Sequence, residues 1–168
     1  MIFFIKNGAQ VNQVDPSNGN TILHNISMNL NLNLPKQLVI EVMGLLKEKK
    51  FDFLQKNNEG KFAIDCFLEK IFLLKWNDLI YEIIRMGFTS LISESTKKYF
   101  FQLANSCYDK FVLKIIFEII GDDPNIHNEI GETLFMKSVN NVILFFYIIE
   151  EYKEKINVNA QDKNGEID

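Results

Sequence analysis

The chain has few of the residues that enzymes and metal centres rely on. It contains two cysteines, two histidines and one tryptophan in 168 residues. Cys66 and Cys107 lack metal-ligand spacing and a secretory context, so both are expected to be reduced thiols. There is no phosphate-binding glycine loop, no His-Glu-x-x-His motif and no Gly-x-Ser-x-Gly motif. We therefore predict that the chain is not itself an enzyme and uses no cofactor or metal ion.

Long hydrophobic runs and clustered positive charge are also missing. The longest apolar run, residues 142–149, is far shorter than the roughly 20 residues that cross a bilayer. The net charge is −4, whereas nucleic-acid phosphates are bound by clustered Lys and Arg. The pair Lys97 and Lys98 is interpreted as a solvated helix face. These absences predict a cytoplasmic protein with neither a membrane nor a nucleic acid as its partner.

Turn-forming residues lie between two apolar segments in the stretch NGAQVNQVDPSNGNTILH, residues 7–24. Gly8 follows the apolar run 2–5, as expected just beyond the C-terminus of a helix. Thr21 is placed to cap a new helix, whose apolar face begins at Ile22. The stretch therefore predicts a helix end, an extended turn and a helix start.

The same turn signal returns along the chain. It is marked by glycines at spacings of 41, 71 and 34 residues, namely Gly19, Gly60, Gly131 and Gly165. The interval of 71 residues is long enough for two units, the second without the glycine. Gly87 and Gly121, which are 34 residues apart and each follow an apolar run, support this division. The alternating segment NLNLNLP, residues 29–35, is formally a strand pattern. We interpret it as a long loop between helices, because a lone strand would have no pairing partner.

These motifs resemble the ankyrin repeat, whose period is about 33 residues. The start of the motif is matched by Gly19, Thr21, Leu23 and His24, with Ile22 in place of its proline, and the end of a preceding unit by Gly8, Ala9, Val11 and Asn12. The resemblance implies an all-α solenoid of stacked antiparallel helix pairs joined by extended β-turn or hairpin segments. It also implies that His24 is a structural residue bonded to turn groups.

The resemblance divides the chain as one domain, 1–168, into a partial repeat 1–12, repeats at about 13–54, 55–89, 90–124 and 125–158, and a partial repeat 159–168. Helix pairs are expected near 21–50, 62–87, 94–121 and 133–154. Trp76 lies between two helices of a pair, where it either covers the core or anchors a partner; the first interpretation is favoured.

Ankyrin repeats bind other proteins, so the resemblance implies a protein–protein interaction module. Its concave surface would be formed by inner helices and turn tips. The candidate partner-binding residues are Gln13, Val14, Asp15, Asn25, Met28, Lys56, Asn57, Glu59, Glu69, Lys70, His127, Asn128, Glu129, Lys137 and Asn140. The alternative is a substrate-recruiting segment of a larger enzyme whose catalytic domain lies outside this chain.

Apolar residues lie near both ends of the sequence. Phe3 and Phe4 open it, and the run 142–149 lies on the last expected outer helix. Because the repeat pattern starts and stops out of phase, we expect a slice of a longer solenoid, with end-to-end self-association of the isolated chain. A composition rich in Asn, Lys, Ile and Phe is similar to that of host-directed ankyrin proteins of intracellular bacteria and poxviruses. That similarity would place the protein in a host-cell cytoplasm.

Overall fold

The regular structure of the chain is helical. The computed structural model describes residues 2–165, and in this range it contains nine α-helices, one short 3-10 helix and no strand. The chain forms two compact units, Met1–Ser93 and Glu94–Asp168. The predicted all-α class is confirmed. Within the described residues, no helix is both long and apolar enough to cross a bilayer.

The first unit contains α1 (Ile2–Lys6), α2 (Ile22–Asn29), α3 (Lys36–Glu48), α4 (Ala63–Leu73) and α5 (Asn77–Arg85). Helix α2 packs against α4, whereas α3 packs against both α1 and α5. The helices therefore lie in an inner layer, α2 and α4, and an outer layer, α1, α3 and α5. Fully buried Phe67, Leu46 and Met43 are among the side chains of the core.

The second unit contains α6 (Glu94–Asn105), α7 (Lys110–Ile120), α8 (Leu134–Ser138) and α9 (Val142–Tyr152). Helix α6 contacts α7 and α8, and α9 contacts α7 and α8. The same two layers result, with α6 and α8 inside and α7 and α9 outside. The third predicted pair is therefore two helices with a break after Asn105, and neither a strand nor one continuous helix covers this region.

Two inner helices begin with the same cap. The Thr21 hydroxyl accepts from the His24 N–H at 3.5 Å, and His24 Nδ1 accepts from the Thr21 N–H at 3.1 Å. Thr133 and Met136 make the equivalent exchange at α8. Because His24 Nδ1 accepts from a backbone N–H, its ring proton lies on Nε2, which donates to the Lys61 carbonyl at 3.0 Å. The predicted cap and the structural role of His24 are confirmed.

This cap predicts the effect of two substitutions. Thr21→Ala should lower the free energy of unfolding by about 1 kcal/mol, as is typical of a lost cap. His24→Ala should cost more, about 2 kcal/mol, because it leaves the buried Thr21 N–H without its acceptor and removes one of the two hydrogen bonds of the Lys61 carbonyl. Urea unfolding measures both, with the exposed Gln37→Ala as the neutral control. A His24→Ala loss smaller than that of Thr21→Ala would contradict this account.

Three extended turns, here called tips, precede inner helices. Tip 1 (residues 14–21), tip 2 (56–62) and tip 3 (127–133) are each closed by an isolated bridge between their first and last residues. Tip 4 is described over residues 161–165. Each tip contains a glycine with positive φ, of 72°, 78°, 87° and 82° in order. The predicted extended turns are present at these places.

The connection from α5 to α6 differs from these tips. It contains a 3-10 helix, Thr89–Leu91, and no bridge occurs in this described segment. Only eight residues, 86–93, are available there. Gly87, with φ of 83°, is used to end α5, and Phe88 and Ile92 are buried. This junction therefore has no extended turn, as expected for the unit without the signature glycine, because the segment is too short and too apolar to project outward.

An asparagine clamp joins neighbouring helix pairs in both units. Asn12 Oδ1 accepts from the N–H of Asp52 at 2.8 Å, and Asn12 Nδ2 donates to the carbonyl of Lys50 at 3.3 Å. Asn125 Oδ1 accepts from the N–H of Asn157 at 2.8 Å, and Asn125 Nδ2 donates to the carbonyl of Lys155 at 2.7 Å. A carboxamide can make both bonds at once, because its NH2 group donates and its carbonyl oxygen accepts.

Several local expectations were also met. The segment 31–35 is a loop, with Leu30 buried before it and Leu32 exposed within it. Trp76 is 4% exposed at the start of α5, so it covers the core and is not an exposed anchor. Gly121 ends α7 with φ of 105°.

Phe3 and Phe4 are 70% and 66% exposed, and Phe146 on α9 is 51% exposed. End-to-end association through these faces stays a prediction. The expectation for residues 166–168 lies outside the described residues.

Candidate functional site

An asparagine side chain holds each of two tips. Asn57 Oδ1 accepts from the N–H groups of Glu59 and Lys61, at 3.1 and 3.0 Å. Asn128 Oδ1 makes the corresponding two bonds in tip 3, both at 3.0 Å. Such Asx turns fix the backbone of a surface loop. The tips are therefore rigid supports, and the backbone and remaining side chains that they present have defined positions.

A groove of about 490 Å³ lies between helix α6 and tip 3 in the second unit. Its floor includes Phe101, which is 2% exposed, and its rim includes Ile130, which is 51% exposed. The remaining lining is polar or charged apart from Ile126, and comprises Glu94, Lys97, Lys98, Gln102, His127, Asn128 and Glu129. An apolar floor inside a polar rim is the usual composition of a protein-binding surface.

Two ion pairs lie along this groove. Lys98 Nζ, on α6, is 2.8 Å from Glu129 Oε1, on tip 3, and Lys97 Nζ is 2.8 Å from Glu94 Oε1. The hydrogen bond between Lys98 and Glu129 raises the pKa of Lys98 and lowers that of Glu129. Both groups of this pair are exposed to water, so it adds little to stability. Charged groups of a partner can therefore replace either member at small cost.

The structure brings three of the predicted site residues together in the second unit. His127, Asn128 and Glu129 all line the groove. Lys137 lies outside it and pairs with Glu132 at 2.7 Å. Asn140 is exposed in the connection between α8 and α9.

The predicted residues of the first unit are dispersed. Gln13 lies directly before tip 1, and the residues within tips 1 and 2 are Val14, Asp15, Lys56, Asn57 and Glu59. Asn25 lines a separate, mainly apolar groove of about 320 Å³ between α2 and α3. Met28 is 61% exposed, and Glu69 and Lys70 are half-buried on α4. Burial, and then the charge of Asp65, raises the pKa of Glu69. These residues do not form a single pocket.

The groove residues on α6 were missed by the sequence interpretation. Glu94 and Gln102 carry no sequence signal for a binding site, and the sequence predicts a solvated helix face at Lys97 and Lys98. The third inner helix carries no signature glycine, so its free positions could not be aligned with those of the other inner helices. The two adjacent lysines were the signal that could have indicated this surface.

Three observations describe the histidines, cysteines and acidic residues as candidates for chemistry. No group of three or more His, Cys, Asp or Glu side chains in residues 2–165 is placed to hold a metal ion. Burial raises the thiol pKa of Cys66 and of Cys107, which disfavours the reactive thiolate. His24 is held between Thr21 and Lys61.

Comparisons of the chain with family models, with curated proteins and with solved structures give no match.

Proposed function

We propose that the chain is a protein-binding module of ankyrin-repeat type, and that the groove between α6 and tip 3 holds a segment of a partner protein. The observation that carries this proposal is the groove itself. It joins a buried aromatic floor at Phe101 to an exposed apolar residue, Ile130, and to exchangeable charges at Lys98 and Glu129.

The repeated contacts of the chain support the ankyrin-type assignment. The Asn12 and Asn125 clamps have the same donor and acceptor pattern although they lie in different units. Thr21 and Thr133 cap inner helices in the same way. Repeating units with equivalent contacts are the basis of solenoid folds, whose tips and inner helices are open to partners.

The groove fits a segment of a protein better than a whole folded surface. Its volume of about 490 Å³ accommodates a few side chains. The Phe101 floor would receive one apolar side chain, and the groups on the rim would bond to backbone and polar atoms on either side of it. Binding energy in such interfaces is concentrated in a few central contacts.

Two groove substitutions test this proposal. Ile130→Asp and Lys98→Glu should each weaken partner binding by about tenfold, the effect expected when a central contact is lost. Matched substitutions outside the groove, Val139→Asp and Lys153→Glu, should leave binding unchanged. The measurement is selection of peptides on the full chain, followed by affinity measurement of the selected peptides against all four variants. If the groove variants bind every selected peptide as tightly as the unaltered chain does, the proposal is wrong.

A further inference from the structure

Neighbouring tips are joined by one recurring backbone hydrogen bond. In the first unit, the Asn58 N–H of tip 2 donates to the Asn18 carbonyl of tip 1 at 2.9 Å. In the second unit, the Lys163 N–H of tip 4 donates to the Ile130 carbonyl of tip 3, also at 2.9 Å. In both cases the acceptor is the carbonyl just before the left-handed glycine. Tips 2 and 4 therefore use an N–H on one edge, and tips 1 and 3 use a carbonyl on the opposite edge.

The N–H edge of tip 3 is not used in this way. Glu129 is the residue of tip 3 that corresponds to Asn58 and Lys163, and no acceptor for its N–H occurs among residues 94–165 of the second unit. The asparagine side chain before this residue also has a different hydrogen-bond acceptor in tip 3. Asn57 Nδ2 donates to Asn20 of the preceding tip at 3.1 Å, whereas Asn128 Nδ2 donates to Glu132 of its own tip at 2.7 Å. Tip 3 thus has the edge of a stacked tip without the tip that would cover it.

The reason for this uncovered edge lies in the sequence before α6. The segment 86–93 forms a 3-10 turn, so α6 has no tip of its own to place beside tip 3. The groove lies between α6 and tip 3, and Glu129 and Ile130 line it. It therefore occupies the side of tip 3 on which a preceding tip would otherwise lie.

We propose that this groove binds a glycine-containing β-turn of the partner protein, whose carbonyl before the glycine accepts from the Glu129 N–H. The inference rests on the proposed function and specifies the chemistry of the partner. In the first unit, tip 1 covers the corresponding edge of tip 2. A turn similar to tip 1 is therefore the occupant expected at the edge of tip 3. The bound turn has an Asx residue at its start and a glycine with positive φ, as in residues 15–19.

A peptide that copies tip 1 is the direct probe. It contains residues 13–22, Gln-Val-Asp-Pro-Ser-Asn-Gly-Asn-Thr-Ile, closed into a ring by a disulfide between two added terminal cysteines. Added to the isotope-labelled full chain, it should shift the backbone amide resonance of Glu129 and those of the α6 residues in the groove. A control peptide with alanine in place of the glycine should bind about tenfold more weakly, because an L-residue pays to adopt the left-handed conformation.

Two substitutions at one position separate the backbone bond from the side chain. Glu129→Ala removes the carboxylate and keeps the N–H, whereas Glu129→Pro removes both. Glu129 is the second residue of the turn closed by the bond from Gly131 N to the Asn128 carbonyl at 3.1 Å, and proline is favoured at that position. Whatever Glu129→Ala costs, Glu129→Pro should weaken peptide binding by a further factor of about ten.

Asn58→Pro is the matched control for folding. It removes the equivalent N–H, which in tip 2 is bonded to the Asn18 carbonyl. It should therefore lower the urea midpoint, whereas Glu129→Pro should leave that midpoint unchanged. Equal peptide affinity of Glu129→Ala and Glu129→Pro would overturn the inference, as would equal binding of the glycine and alanine peptides.

The same experiment separates this inference from the proposed function. If selected peptides bind in a manner sensitive to Ile130→Asp but insensitive to Glu129→Pro, the groove binds proteins and the turn inference is wrong. If neither the turn peptide nor any selected peptide shows sensitivity to Ile130→Asp, both proposals are wrong.

Discussion

Gly19→Ala should destabilise the first unit far more than the same change at Gly60. Both glycines have positive φ, of 72° and 78°, so each substitution pays about 1–2 kcal/mol for left-handed backbone. A Cβ atom at Gly19 would also lie 2.6 Å from Asn58 Oδ1 and 2.9 Å from Asn58 N. A Cβ atom at Gly60 would have no non-neighbouring heavy atom within 4 Å. Separating the two tips should raise the Gly19→Ala cost to about 3 kcal/mol or more. Urea unfolding of both variants measures the difference.

Gly131 provides an internal check on this explanation. A Cβ atom there would lie 3.1 Å from both Asp162 Cα and Lys163 N, which is tight but less severe than the contact at Gly19. Gly131→Ala should therefore fall between the other two variants. Equal losses at Gly19 and Gly60 would mean that tip 2 does not lie against tip 1 in solution.

Phe117→Ala is expected to have the largest effect in the second unit, about 3–5 kcal/mol. Phe117 on α7 has no exposed surface, and its ring stacks on that of Tyr152 at 4.8 Å and lies 5.2 Å from that of Tyr147. Its removal leaves a cavity between α7 and α9. Phe111 lies on the same helix and is 48% exposed, so Phe111→Ala should cost less than about 1 kcal/mol. Urea unfolding of the two variants tests the prediction.

The two tyrosines provide a second readout of this core. Burial raises the pKa of Tyr147 to about 12 from the usual 10, and burial raises that of Tyr152 as well. Since the folded state holds the Tyr147 proton more tightly, the contribution of Tyr147 to stability is complete below pH 10 and is lost as the pH rises through about 12. In Phe117→Ala, tyrosinate absorbance should appear at lower pH than in the unaltered chain. Similar titration and stability of the Phe117→Ala and Phe111→Ala variants would contradict the packing described.

The features that could be predicted from sequence depend on neighbours along the chain. The capping residue Thr21 bonds to His24, only three residues further along the chain. Gly121 ends the helix that directly precedes it. The amphipathic runs between such signals locate the helices, because helical spacing is also a short-range property. The all-α class was implied by the family resemblance that these signals carry, and the loop in residues 29–35 was inferred because a lone strand would have no pairing partner.

The features that could not be predicted depend on distant residues or on the conformation of a segment without a motif. A period of about 34 residues fixes how much chain a helix pair needs, but it does not state whether residues 86–93 form a tip or a 3-10 turn. Half of the groove was found, through His127, Asn128 and Glu129. The other half, on α6, was missed because the ion pair between Lys98 and Glu129 joins residues that are 31 positions apart.

The open side of Gly60 affects which substitutions the chain can accumulate over generations. Asparagine tolerates left-handed backbone better than other residues with a side chain, and at Gly60 there is space for it. At Gly19 and Gly131 the neighbouring tip leaves no such space. Descendants of this sequence should therefore lose the glycine of tip 2 first while keeping the fold. A glycine kept at this position of the motif therefore indicates an adjacent tip in close contact, in addition to a turn with left-handed backbone.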